Sequence, residues 1–136
     1  MKRLSIFAAA VALALGAVAC MDTIIKEYGP ENHVLLSVQT DSCRFQAESL
    51  DNVHDVTRWV WTNTGTTAVV HHLSFYHHGG SQLTILDANG DSILRRVPLE
   101  YALDDTTTAG APGVWTVELQ LFGGRGRVDI SIVKLQ

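Results

Sequence analysis

The chain has few of the features that staple a small domain together. It holds two cysteines, Cys20 and Cys43, in 136 residues. At most one disulfide can form, so no disulfide framework exists. Acidic side chains outnumber basic ones, 14 to 10, for a net charge of -4. Lys2 and Arg3 are both in the first few residues, so the remainder is more acidic still. That balance excludes nucleic acid as a partner, because phosphates require a basic face, and it excludes purely electrostatic docking on anionic lipid. Past residue 20 there is no second long apolar run and no amphipathic helical pattern. There is no Gly-x-Ser-x-Gly elbow and no His-Glu-x-x-His pair, so the two commonest hydrolase signatures are missing. Paired carboxylates can be brought together from distant strands. Glu48, Glu100 and Glu118 are the acids available for that, and a secreted hydrolase stays as a residual alternative to a non-enzyme.

What is present begins at the N-terminus. Lys2 and Arg3 precede an almost wholly apolar stretch from Leu4 to Val18, whose end runs into the small-residue triplet Ala17-Val18-Ala19 and then Cys20. This is the pattern of a bacterial export signal, and its apolar stretch is too short for a stable span. With Cys20 directly after Ala19, the segment resembles a bacterial lipoprotein signal. The resemblance implies cleavage before Cys20, a lipid on Cys20, and attachment to a membrane in the periplasm, on the outer membrane or at the cell surface. Ala17-Val18-Ala19 equally suits ordinary secretion with a free Cys20. A multiply acylated cysteine would hold the domain at a membrane, at ~0.8 kcal/mol per buried methylene. Residues 1–19 then form a signal peptide, 20–33 a polar tether and 34–136 one domain. With Cys20 lipidated, Cys43 has no partner in the chain; otherwise a Cys20–Cys43 disulfide is open.

Period-two alternation dominates the domain, as in half-buried strands. Val34, Leu36 and Val38 share one face. Trp59 and Trp61 share another, with Val56 and Val60 opposite. Thr66 to Tyr76 reads as a strand after the turn Asn63-Thr64-Gly65. Leu83 and Ile85 alternate with Gln82 and Thr84 before the hairpin turn Asp87-Ala88-Asn89-Gly90. Ser92 to Val97 returns from it, with Pro98 as a stop. Residues 104–113 read as a long polar loop. Trp115, Val117, Leu119 and Leu121 alternate with Thr116, Glu118 and Gln120. Gly123-Gly124-Arg125-Gly126 reads as the turn into a last strand bearing Val128, Ile130 and Ile132. A helical turn is expected within 46–56. The pattern predicts an all-β domain, a single antiparallel β-sandwich of jelly-roll or immunoglobulin-like type with seven or eight strands.

The stretches Trp61 to Gly65, Leu83 to Gly90 and Gly110-Ala111-Pro112-Gly113-Val114-Trp115-Thr116-Val117 together resemble small secreted bacterial β-sandwiches. Pre-peptidase C-terminal domains and CUB-like domains have similar strands ending in Gly-x-Trp-x-Val. The resemblance implies an accessory or binding module with no shared catalytic residue.

The candidate chemistry lies in four histidines. His71, His72, His77 and His78 fall within eight residues, and imidazole ligates zinc or copper well. In a straight strand adjacent histidines face opposite ways, and His72 and His78 lie ~20 Å apart at ~3.3 Å per residue. A metal site would therefore need His77 or His78 from the Gly79-Gly80 turn, with help from His54, Asp55 or Asp91. The start of a calcium loop at 87–91 fails in its glycine position and its missing bidentate Glu, so a hairpin turn is the better reading. The expectation is a non-catalytic envelope binding or structural module that uses no cofactor and meets an envelope protein or glycan. The alternative is a zinc- or copper-binding protein using the His71–His78 segment.

Overall fold

The structure, a computed structural model, describes residues 27–96 and 103–136. Cys20, Pro98 and Glu100 lie outside them. The described chain is almost entirely strand. After a 3-10 turn at Pro30–Asn32 come β1 (Leu35–Gln39), β2 (Ser42–Asn63), β3 (Ala68–His72), β4 (Phe75–His77), β5 (Gly80–Leu86), β6 (Ser92–Arg96), β7 (Leu103–Thr106) and β8 (Gly113–Lys134). All pairings are antiparallel. The all-β expectation holds, and the β-sandwich arises in an economical way.

β2 and β8 are each 22 residues long and pair along their whole length, from Ser42 opposite Val133 to Asn63 opposite Gly113. On its other side β8 carries β3, then β4, then β5. β1 extends the first half of β2, β7 extends β3, and β6 extends β5. The long ladder does not run straight. Its register slips between Ala47 and Leu50, between Asp51 and Val53, and between Val53 and His54. Each slip contains one extra residue, and each has a left-handed backbone: Ser49 (φ 50), Asn52 (φ 56) and, on the opposite strand, Gly123 (φ 76). A residue inserted in this conformation bends and twists its strand. Three bulges together fold the ladder over, so that its two ends face each other.

The packing shows the result. Phe45 stacks on Trp59 at 5.3 Å and 12°, although both belong to β2. Trp59 Nε1 donates a hydrogen bond to Cys43 Sγ at 3.3 Å across the same interface. Trp61 meets Trp115 edge-on at 5.7 Å. Around them Leu83, Ile85, Val117, Leu119, Ile130, Ile132 and Val70 are fully buried. The in-phase sets read from alternation, Trp59 with Trp61 and Trp115 with Leu121, are this core. The Cys43 thiol is free and buried, and desolvation pushes it up to about 11 despite the Trp59 hydrogen bond. It is held as an unreactive thiol.

Loops close the open side. Thr107 N donates to Ala68 O, Thr108 N to Ile93 O and Gly110 N to Thr66 O, so residues 107–110 join the two halves. Asp87 supports this from the hairpin. Its carboxylate accepts from Asn89 N and Asp91 N at 2.9 Å and from Ala111 N at 2.7 Å. Those donors, Ala111 foremost, hold its pKa below the usual carboxylate range. The turn reading of 87–90 is therefore the observed one, and Asp87 also ties that turn to the loop.

Four local expectations need correction. Residues 46–56 contain no helical turn; the bulges shift the alternation out of phase and disguise a continuous strand. Gly123 to Gly126 is no hairpin turn but the bend inside β8. The strand expected over 66–76 breaks at Leu73 and Ser74 into β3 and β4. The polar loop expected from residue 104 begins as β7, paired to β3. In addition, the described end of the expected tether is docked. Tyr28 packs on Phe45 at 6.3 Å. Asn32 Nδ2 donates to Glu48 O at 3.0 Å and Ser49 O at 3.1 Å, clamping the first bulge.

Asn32→Ala is expected to cost about 1–3 kcal/mol, because two carbonyls at the bulge lose their buried donor. Leu119→Ala should cost about 2–5 kcal/mol, whereas Val60→Ala on the solvent face stays within about 0.5 kcal/mol. Urea unfolding followed by tryptophan fluorescence measures all three.

Candidate functional site

The strand phase separates the four histidines. Ala68 and Val70 point into the core, so His72 does too, while His71 faces solvent. His71 Nδ1 lies 2.8 Å from Asp104 Oδ1 on the neighbouring strand. His72 is fully buried, and neither ring nitrogen has a hydrogen-bond partner. Its Nε2 lies 3.7 Å from Asp105 Oδ2, and that carboxylate also accepts from Arg96. Arg96 comes from β6 and Asp105 from β7, so this ion pair crosses from one half of the sandwich to the other, with His72 behind it. Desolvation, reinforced by Arg96, lowers the His72 pKa against the opposing pull of Asp105 and Asp104. His72 is thus neutral and inaccessible.

His77 and His78 sit at the bend. β4 is paired with the bent part of β8, placing Phe75 opposite Arg127, Tyr76 opposite Gly126 and His77 opposite Arg125. Tyr76 points inward and donates to Gly80 O at 2.8 Å. A Cβ at Gly124 would fall inside the Tyr76 ring, so only glycine fits there. Phe75 and His77, on the other face, point outward with ring centroids 6.1 Å apart, and His78 follows at 5.0 Å from His77. His78 has a left-handed backbone, φ 56, which turns its ring away from the strand line.

Beside these rings lies a cleft of about 350 Å³ lined by Asn52, His78, Gly123 and Arg125. The second and third bulges place Asn52 and Gly123 there. A Cβ at Gly123 would lie 2.7 Å from His54 Nε2 and 2.9 Å from Asn52 Oδ1, so both side chains close over this glycine. Arg125 Nε donates to Asp51 Oδ1 at 2.9 Å. Phe75 is 70% exposed and Phe122 47%. The site combines flat apolar faces, imidazoles, an amide and a guanidinium on a rigid, bulged ladder.

Among the described residues, no three His, Cys, Asp or Glu side chains come together in a way that could hold a metal ion. Of the helpers expected from the sequence, His54 does join the bend. Asp55 accepts from Thr57 Oγ1 at 2.8 Å, and Asp91 belongs to the 87–91 hairpin. Of the acids, Glu118 is paired with Arg58, and the Gln120 hydrogen bond, followed by Arg58, lowers its pKa; Glu48 is exposed on the first bulge. Sequence reasoning missed Asn52, Gly123 and Arg125 as neighbours. A residue tolerant of left-handed backbone in the middle of a strand was the available signal at Asn52.

No family model matches the chain, and no curated protein matches it. Among solved structures it is similar to one of accessory secretory proteins 1, 2 and 3 of Streptococcus pneumoniae, with 14% identity, covering 83% of this chain and 100% of that one, at a TM-score of 0.38. A second is CsCBM6-3 from Clostridium stercorarium in complex with cellobiose, with 12% identity, covering 85% and 90%, at a TM-score of 0.36. The fold rests on the chain's own strand order rather than on either likeness.

The buried imidazole makes stability depend on pH. His72 in the unfolded chain takes a proton near its ordinary value of about 6.5, and in the folded chain only at lower pH. Between those values the unfolded state holds more protons, so stability falls as the pH drops through that window. His72→Leu is expected to reduce this loss, with urea midpoints at about pH 7.5 and pH 5.5 closer together than in the parent. Equal spacing in both proteins would contradict it.

Proposed function

We propose that the protein is a non-catalytic binding module of the bacterial envelope, carried by a lipid on Cys20, and that it reads its ligand with the platform at the bend. The observation that carries this reading is the cleft lined by Asn52, His78, Gly123 and Arg125, with exposed Phe75 on β4 and exposed Phe122 next to Gly123 on β8. Exposed aromatic rings on a bulged ladder offer an apolar face at low entropic cost. Fixed polar groups alongside give orientation. Flat rings with an amide and a guanidinium fit the alternating apolar faces and hydroxyl edges of a glycan strand.

Rigid placement supports the same reading. The platform residues stand on strands whose bends are set by bulges and clamped by Asn32, so binding would order little that is not already ordered. The acidic side chains Glu118 and Glu48 are engaged or remote from the cleft, which accords with binding without turnover.

Calorimetric titration with solubilised envelope polysaccharide tests the site. Phe75→Ala with Phe122→Ala should weaken binding about tenfold or more and leave the melting temperature nearly unchanged, since both rings are exposed. Parent-like affinity in the double variant, or cleavage of the polysaccharide during the titration, defeats the reading. The mass of the mature N-terminus tests the anchor: the expected species begins at an acylated Cys20, against an unmodified one for simple secretion.

A further inference from the structure

We infer that β1 is a self-association edge, pairing antiparallel with β1 of a second copy of this chain about a two-fold axis through Ser37. Among the described residues β1 pairs only with β2, leaving one side of its backbone open. All five of its residues, Leu35-Leu36-Ser37-Val38-Gln39, are exposed. Leu36 and Val38 lie in register with Phe45 and Cys43, on the core side, yet are 47% and 45% exposed. The facing half of the sandwich does not reach over them. Leu35, on the opposite face, is 62% exposed. This strand is therefore greasy on both faces and open along its edge.

Open edges in soluble proteins usually carry charge, proline or a bulge that stops further pairing. Three other outer strands here obey that rule: β6 carries Arg95 and Arg96, β7 carries Asp104 and Asp105, and the second half of β2 carries Asp55 and Arg58, while the uncharged outer strand β4 is only three residues long. β1 has none of these devices. The nearest charge is Arg44, in register with Ser37, and it is neutralised. Its Nε and Nη2 donate to the two oxygens of Asp129 at 3.0 Å and 2.8 Å, and this pairing holds the Asp129 pKa low.

The occupant follows from the residues themselves. An antiparallel pairing centred on Ser37 sets Leu36 against Val38 of the other copy, twice, and Leu35 against Gln39, twice. No charge meets a like charge, in a domain whose net charge opposes most other approaches of two copies. A groove of about 360 Å³ lined by Leu35, Leu36, Ser37, Arg44 and Gln46 flanks the edge and can receive the side chains of the second strand. Two five-residue strands with one groove form a small interface, below about 1,200 Å², so the dimer should be weak and concentration-dependent.

Sedimentation velocity of the purified protein across the micromolar range provides the test. The expected result is a reversible monomer–dimer equilibrium. Ser37→Lys and Ser37→Glu each place two like charges face to face and should raise the dissociation constant about tenfold or more, with parent-like thermal melts. An equal mixture of the two variants should restore the dimer. Independently, Ser37→Cys should give a covalent dimer on mild oxidation, since directly opposed residues have Cα atoms about 4.5–5.5 Å apart, within disulfide reach. A monomeric parent throughout, variants that dimerise as the parent does, no recovery on mixing, or no covalent dimer from Ser37→Cys would overturn the assignment.

Discussion

The pairing of β2 with β8 is the constraint from which everything else in this molecule follows. A ladder of this length cannot lie flat in so small a domain without exposing both of its faces. Ser49, Asn52 and Gly123 each insert one residue with a left-handed backbone, and the ladder folds over. Residues of one strand then become each other's core partners, as Phe45 and Trp59 do. The sandwich is one sheet doubled back on itself, and its two layers share their central strands.

The same bend accounts for the proposed binding surface. Bulges re-aim side chains that a regular strand would send elsewhere. At this bend they bring Asn52, His54 and Arg125 next to β4 and the residues after it, which are remote in sequence. Glycine at 123 supplies a backbone conformation that other residues resist, and glycine at 124 leaves room for the Tyr76 ring. The proposed platform is thus a by-product of the fold's main mechanical requirement, placed where the backbone is most tightly determined.

Much of this was legible in the residues, and the illegible part has a common cause. Trp115 to Leu121 and Trp59 with Trp61 kept strict period two because those segments pair in the part of the ladder beyond the bulges. From Ala47 to His54 the period breaks, and a broken strand period looks like a helical turn. Gly123-Gly124-Arg125-Gly126 satisfies a hairpin turn and a bulged bend equally, since both need positive φ; only the partner strand distinguishes them. β7 looked like loop because Asp104 and Asp105 are polar, and an edge strand is half solvated. Two of the histidines, His77 and His78, could be placed near a turn from Gly79-Gly80 alone. That His72 is buried follows from its phase with Ala68 and Val70, whereas the approach of Asn52 and Arg125 depends on long-range register that no local pattern encodes.

The order of the strands along the chain has a kinetic consequence. β8 follows every other strand in sequence, yet it is the neighbour of β2, β3, β4 and β5. Until it has emerged, β2 can pair only with β1, β5 only with β6, and β3 only with β7. Closing the ladder also joins residues far apart in the chain, which makes for slow nucleation. A nascent chain of this protein therefore remains loose until its final long strand is available, and then acquires both layers and the bend in a single late event.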